Sequence, residues 1–352
     1  MTLSPVFRSL EAVEALHAKG HIDRLAGSIK AQRANVQRLH TLLPDVLDGR
    51  YIAQAREESD DIVFLQEHFF LILFDSLYRS LGCSDERLNL YGLLNLCIRG
   101  IVVAGDNLFD DETKMDLPLS LGYGSRFASI MQLLCFDHLI ARILDKHLPD
   151  SRDDGATFRR NLLNALAYIG TLEGSEEGGV ETVLPVEEMV EKVHGVRGGK
   201  LFALAFIAPD VWETGREQQW QTARRGIARL GTAFQIVDDL TDFEFDMTRR
   251  SHNLLMAQIV HGGTEREKAA LEKLRQSKEM PSGLVETTFT ESARAVFDRA
   301  RREAEAGFKD LQDVGFWFPP ADAHLFVSAI AGDAGDTRVK SLSDSTSSPA
   351  VS

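Results

Sequence analysis

The segment Phe234-Gln235-Ile236-Val237-Asp238-Asp239-Leu240-Thr241-Asp242 constrains this chain more than any other. Residues 226–237 form a largely apolar run with helical spacing, and three acids close it. At 3.6 residues per turn, Asp238 and Asp242 stand one above the other, with Asp239 about 100° round. Like charges on an otherwise buried helix are costly unless a cation neutralises them. The segment therefore predicts a core helix with a metal at its acidic end.

Taken alone, such a run would read as a solvated face, because unpaired Asp is rarely buried. A second segment changes that reading. Ile101-Val102-Val103-Ala104-Gly105-Asp106-Asn107-Leu108-Phe109-Asp110 is another apolar helix ending in acids. Asp106 and Asp110 are again four apart, and Asn107 takes the slot of the second acid. Two apolar helices that each aim carboxylates from one face suit Mg²⁺, which prefers oxygen ligands and completes its shell with water and phosphate.

Composition limits the partners. The 352 residues carry a formal net charge of −14, which argues against nucleic acid and anionic membrane surfaces. The three cysteines lie in apolar context, so a disulfide framework is not expected and a reducing cytoplasm fits. Met1 to Leu10 lacks the basic start and apolar core of a signal peptide. No uninterrupted apolar run approaches the ~20 residues that span a bilayer. A cytoplasmic protein, not integral to a membrane, is expected.

Helical periodicity dominates the rest. Residues 10–50 mix apolar positions with Lys19, Arg24, Lys30, Arg33, Arg38 and Arg50, which read as a solvated basic face. Apolar helical segments follow at 61–81, 85–104, 127–148 and 157–172, and no stretch alternates as strands and hairpins do. The fold class is all-α: a single-domain antiparallel helical bundle around a central cavity. Gly195, Gly198 and Gly199 interrupt an expected helix over 186–206, each costing up to ~1 kcal/mol relative to Ala. They read either as a loop or as a break that brings backbone close to a ligand. The organisation expected is an N-terminal helical segment (1–50), a helical domain (51–331) and a polar tail (332–352) unable to fold.

Phe234 to Asp242 resembles the second aspartate-rich motif of the trans-isoprenyl diphosphate synthases and their class I terpene synthase relatives. Asp106 to Asp110 resembles the first motif, with Asn107 in place of one Asp. Arg197-Gly198-Gly199-Lys200-Leu201-Phe202 falls where that family has Lys-Thr-x-x-Leu-Phe, and Cys135-Phe136-Asp137-His138-Leu139 is similar to its Gly-Asp-x-Leu segment. The resemblance covers roughly residues 60–330.

The resemblance implies an allylic isoprenyl diphosphate substrate, farnesyl or geranylgeranyl, and three Mg²⁺. By position, Asp106, Asn107 and Asp110 would hold two metals. Asp238 would ligate the third, supported by Asp239 and Asp242. Arg197, Lys200, Arg249 and Arg250 would bind the diphosphate, and Phe69, Phe70, Phe202, Phe206 and Phe234 are candidates to line the apolar cavity. A homodimer is compatible with the family. Chain-elongating members bind a second diphosphate through an early Gly-Lys-Arg motif and an Arg pair after the first acidic motif. Here Glu57 to His68 is acidic and apolar, and Asp111 to Asp116 holds no Arg. The expectation is therefore a terpene cyclase. The alternative is a prenyltransferase adding isopentenyl diphosphate, its second site built from residues such as Lys114 or Arg126. A catalytically silent partner subunit is the third reading.

Overall fold

The computed structural model describes residues 9–54, 60–109, 113–122, 124–148, 150–277 and 280–331. The tail at 332–352 lies outside the described residues, and so does Asp110. Among the described residues the architecture is all-α, with one isolated antiparallel bridge between Ile52 and Leu119. The chain forms two compact units.

The first unit takes 20–163 and 204–220 of the described chain. Its helices are α2 (His21–Leu42), α3 (Asp61–Ser80), α4 (Asp85–Phe109), α5 (Ser125–His147) and α9 (Ile207–Trp212). Asp60 starts α3, its Oδ1 accepting from the Ile62 and Val63 amides at 2.9 and 2.9 Å, which satisfies two donors that a helix end leaves orphaned. Phe64, Leu65, Phe69, Ile72 and Leu73 then bury one side of α3 against α2 and α4. The helix kinks at His68, whose backbone is non-helical (φ −122°, ψ 19°). Helix α4 runs along α5 so closely that a Cβ on Gly100 would lie 2.1 Å from the Phe136 ring.

Both α4 and α5 are long and apolar enough to cross a bilayer by length and composition, although Asn95 and Arg99 interrupt the one and Gln132 and Asp137 the other. Most of α4 is buried within its unit, whereas α5 leaves Phe127 (53%), Ile130 (44%) and Leu134 (51%) exposed on one face. Cys97 and Cys135 are buried, Cys83 is half-buried, and all three are free thiols.

The second unit holds α1 (Leu10–Ala18), residues 164–203, which begin within α6 (Arg152–Gly174), and everything described from 221 onward. Helix α10 (Glu217–Thr241) enters it at Gln221 and carries the second acidic segment at its end. After it come α11 (Phe243–Arg249), α12 (Leu254–Gly262), α13 (Glu265–Gln276), α14 (Leu284–Thr287) and α15 (Thr290–Asp313). Ala293, Val296, Phe297, Ala300, Ala304, Phe308 and Leu311 make one buried stripe on α15, at the spacing an amphipathic helix requires. The stripe packs against α12 and α14.

The glycine-rich segment is neither a loop nor a break. α7 (Val186–Met189) continues as a π-helix over Val190–Lys200 and then as α8 (Leu201–Ala203). The glycines serve a backbone rather than a ligand: a Cβ on Gly198 would stand 2.0 Å from the Gly231 carbonyl oxygen, and one on Gly231 would stand 2.3 Å from the Gly198 oxygen. The π-helix and α10 thus cross backbone to backbone, where no side chain fits. Gly195 is different, since its added Cβ would meet Val190 O at 3.4 Å. Gly198→Ala should therefore cost at least about 2 kcal/mol of stability, the range of overpacked sites, while Gly195→Ala changes it by less than about 1 kcal/mol. Urea denaturation of the two variants checks this, and equal losses would contradict the crossing.

Candidate functional site

In the second unit, the crossing of the π-helix over α10 sets which acids are available. Asp239 is 3% exposed. Its Oδ2 lies 2.7 Å from His194 Nε2 and accepts from the Leu254 amide at 2.5 Å. His194 Nδ1 sits 3.1 Å from the Met189 carbonyl oxygen. The ring thus bridges the Met189 carbonyl and the Asp239 carboxyl group through its two nitrogens. Asn253 joins them, donating to Asp239 O at 2.7 Å and to Asp246 Oδ2 at 2.8 Å. Asp239 thus braces the π-helix and the start of α12 onto α10, and at least one of its oxygens is committed to that.

Asp238 and Asp242 are placed differently. Asp238 is half-buried, with Gln235 Nε2 donating to its Oδ2 at 3.3 Å, and Asp242 is exposed at the junction of α10 and α11. One turn further on is Asp246, which the sequence reading missed although the repeat Asp238, Asp242, Asp246 keeps a spacing of four. Burial, followed by the Asp239 charge, pushes the Asp246 carboxyl up to about 8, with Asp242 and Asp238 adding to it against a lowering hydrogen bond from Asn253. This is the penalty of crowded carboxylates, which a divalent cation relieves. The donor set therefore fits a hard, oxygen-seeking ion. Among the described residues no three Asp, Glu, His or Cys side chains are gathered to hold an ion unaided. Mg²⁺ sites have that character, using one or two carboxylates and leaving the remainder to water and substrate phosphate.

The basic residues assigned to the diphosphate are scattered in function. Arg197 is clamped by carboxylates: Nη2 donates to Glu173 Oε2 at 2.9 Å and lies 2.8 Å from Glu176 Oε2. Burial opposes its charge, but Glu173, Glu176 and Asp239 together raise its pKa. Lys200 is exposed on the π-helix. Arg249 is exposed too, with its guanidinium 5.2 Å from the centroid of the Phe245 ring. Arg250 sits at the rim of a cavity of about 650 Å³, and Asp238, Asp239 and Asp242 are not part of that lining. The diphosphate roles expected of these four residues thus lack a common location in this unit. Of the candidate phenylalanines here, Phe202 and Phe234 meet at 5.7 Å between centroids.

In the first unit, Asp106 is exposed near the end of α4, and its neighbour Asn107 is 1% exposed. Asn107 is not free to ligate a metal. Its Nδ2 donates to Lys114 O at 2.7 Å and to Ser129 Oγ at 3.3 Å, while its Oδ1 accepts from the Lys114 amide at 3.1 Å. It therefore latches the segment after the acidic motif to the end of α4.

Two turns before Asp106, α4 carries Arg99, whose Nη1 donates to His68 Nδ1 at 2.7 Å. Arg33 comes to the same place from α2, its guanidinium carbon 4.3 Å from the centroid of Phe64, which itself packs on His68 at 4.3 Å. Arg33 is not on a solvated face: its side chain is 17% exposed, and it pairs with the outward-facing Asp61. Arg99 is balanced by Asp116 at 3.5 Å. Sequence reasoning had no signal for this cluster, because Arg33, His68 and Arg99 lie 31 or more residues apart and neither Arg belongs to a motif.

No family model and no curated protein sequence matches this chain. Its structure does match solved proteins. A decaprenyl diphosphate synthase from Rhodobacter capsulatus aligns over 91% of this chain and 99% of its own, with a TM-score of 0.58 and 18% identity. A polyprenyl synthetase from Streptomyces coelicolor A3(2) aligns over 87% and 98%, with a TM-score of 0.58 and 17% identity. A polyprenyl synthase from Caulobacter crescentus CB15, complexed with calcium and isoprenyl diphosphate, aligns over 90% and 98%, with a TM-score of 0.57 and 16% identity. The chain has the all-α fold of the isoprenyl diphosphate synthases.

Two outcomes check these assignments. Arg197→Ala strands Glu173 and the nearly buried Glu176, so it should cost about 3–5 kcal/mol in urea denaturation; a loss under about 1 kcal/mol would contradict the clamp. His68 is held neutral, because burial, then Arg99, then Arg33 push its pKa well below 6.5. Below pH ~6.5 the unfolded chain takes up a proton that the folded chain refuses, so stability drains away on acidification. His68→Gln keeps an acceptor for Arg99 and should flatten that decline; superimposable stability–pH curves would refute it.

Proposed function

We propose that this protein is a metal-dependent enzyme of isoprenoid biosynthesis whose reaction is prenyl transfer. An allylic isoprenyl diphosphate loses its diphosphate, its C1 bonds to the terminal alkene carbon of isopentenyl diphosphate, and a proton leaves to restore the double bond. The observation that carries this reading is the match of the fold across nearly the full length of polyprenyl synthases, one of them holding a divalent cation and an isoprenyl diphosphate.

In this reading Asp238 and Asp242 would hold Mg²⁺ at the end of α10, with Asp246 beside them, and Asp106 and Asp110 are given the same role by their motif alone. Bound Mg²⁺ supplies Lewis-acid neutralisation of the charge on the leaving diphosphate. Asn107 and Asp239 act as braces. Arg99 and Arg33 meet the need for positive charge that a second diphosphate imposes, and neutral His68 fixes the Arg99 guanidinium by accepting its N–H. Two motifs that usually carry that role are missing from the sequence. The Arg33–His68–Arg99 cluster supports elongation without them.

Cyclisation of a single allylic diphosphate is the second reading, favoured by the absent Gly-Lys-Arg and Arg-pair motifs. The test is to incubate the protein with geranyl, farnesyl or geranylgeranyl diphosphate and Mg²⁺, with and without isopentenyl diphosphate. A longer linear prenyl diphosphate, formed only when both substrates are present, is expected. A hydrocarbon or alcohol from one allylic diphosphate would decide for cyclisation, and no turnover of either kind would remove the enzymatic reading. Asp238→Ala should lower turnover about 10²–10³-fold, and Arg99→Gln should raise the KM for isopentenyl diphosphate more than that for the allylic substrate.

A further inference from the structure

We propose that the cavity in the second unit is a binding site for a single-chain amphipathic anion: an apolar tail ending in a phosphate or carboxylate. At about 650 Å³ it lies within the ~300–1,000 Å³ range of small-molecule sites. Met189, Met247, Met256 and Met280 line it, four of the seven methionines in the chain. Met189 and Met247 are buried and form the floor, while Met256 and Met280 are half-buried on the wall. Thioether side chains are unbranched and polarisable, so a wall of them adapts to flexible apolar guests.

Charge selects the head group. The chain as a whole carries −14 and repels anions, yet this lining holds Arg250 and Arg275 against one acid, Glu181. Arg250 is the one non-glycine residue with positive φ among the described residues (φ 59°). A long side chain in that left-handed region is uncommon and is held there by its surroundings. Here the Val180 amide donates to Arg250 O at 2.7 Å, pinning the turn at the rim. Arg275 reaches across the wall, its Nη2 3.6 Å from Met256 Sδ, while its Nη1 pairs at 3.3 Å with the largely exposed Glu272, a contact of little strength. An apolar tail against the methionines and an anionic head at Arg250 and Arg275 use both halves of the lining.

The inference is independent of the proposed reaction, and its readout is not turnover. The protein labelled with ¹³C at its methionine methyl groups is titrated with dodecyl phosphate below its micelle concentration. Parallel titrations use dodecanoate, dodecanol and inorganic phosphate. Saturable shifts at Met189, Met247, Met256 and Met280 are expected, with Met115 and Met131 unmoved. The tighter of the two anions identifies the head group. Arg250→Gln combined with Arg275→Gln should weaken anion binding about tenfold or more and leave dodecanol unaffected. Met256→Trp, filling the cavity, should abolish the shifts while the melting temperature is retained, which separates occupancy from misfolding. Shifts spread over Met115 and Met131, failure to saturate, or dodecanol binding as tightly as the anions would overturn the proposal.

Discussion

The polar contacts at the acidic end of α10 depend on a contact with no side chain in it, the crossing of Gly198 over Gly231. Because the two backbones touch, the π-helix lies close enough for His194 to reach Asp239 from above. The wider π turn also presents Arg197, three residues on, to Glu173 and Glu176. π-Helical turns recur at functional sites because they re-aim side chains that an α-helix would direct elsewhere. A Cβ at either glycine would push the helices apart and break the His194–Asp239 contact before it touched any acid exposed to solvent.

The division of labour within Asp-Asp-x-x-Asp follows from the same contact. Asp239 faces the crossing and is spent on holding three helices together, while Asp238 and Asp242 face away from it. Removing Asp239 would therefore damage architecture, and removing Asp238 would damage chemistry, although the two are adjacent. An order of 18% identity with proteins of the same fold is compatible with this arrangement, since apolar helix faces tolerate wide substitution while pattern and volume are kept. Glycine at a backbone crossing tolerates none.

The sequence was legible where a local pattern decides the outcome. Helical periodicity announced an all-α fold, and the spacing of Asp238 and Asp242 on an apolar helix gave their placement at its acidic end. It was illegible where a distant partner decides. Arg33 looked like one basic residue among many until Phe64 and His68 came beside it. Arg197 had the position of a phosphate ligand, but Glu173 and Glu176 reach it first. The three glycines signalled a departure from the α-helix correctly, yet what Gly198 approaches is another backbone. Asp246 was legible from its spacing alone and was overlooked because the motif seemed to end at Asp242.

Asn107 bears on how this chain can change over generations. Restoring an acid there is a single-base step from an Asn codon, and by motif alone it looks like a repair. Yet the amide nitrogen donates to Lys114 O and Ser129 Oγ, and a carboxylate would aim negative charge at that carbonyl instead. Asn107→Asp would open the latch, which hydrogen exchange over 113–117 would detect as lost protection. An acid at 107 thus fits only with a different segment at 113–117, so the side chain that breaks the motif also dictates the loop that follows it.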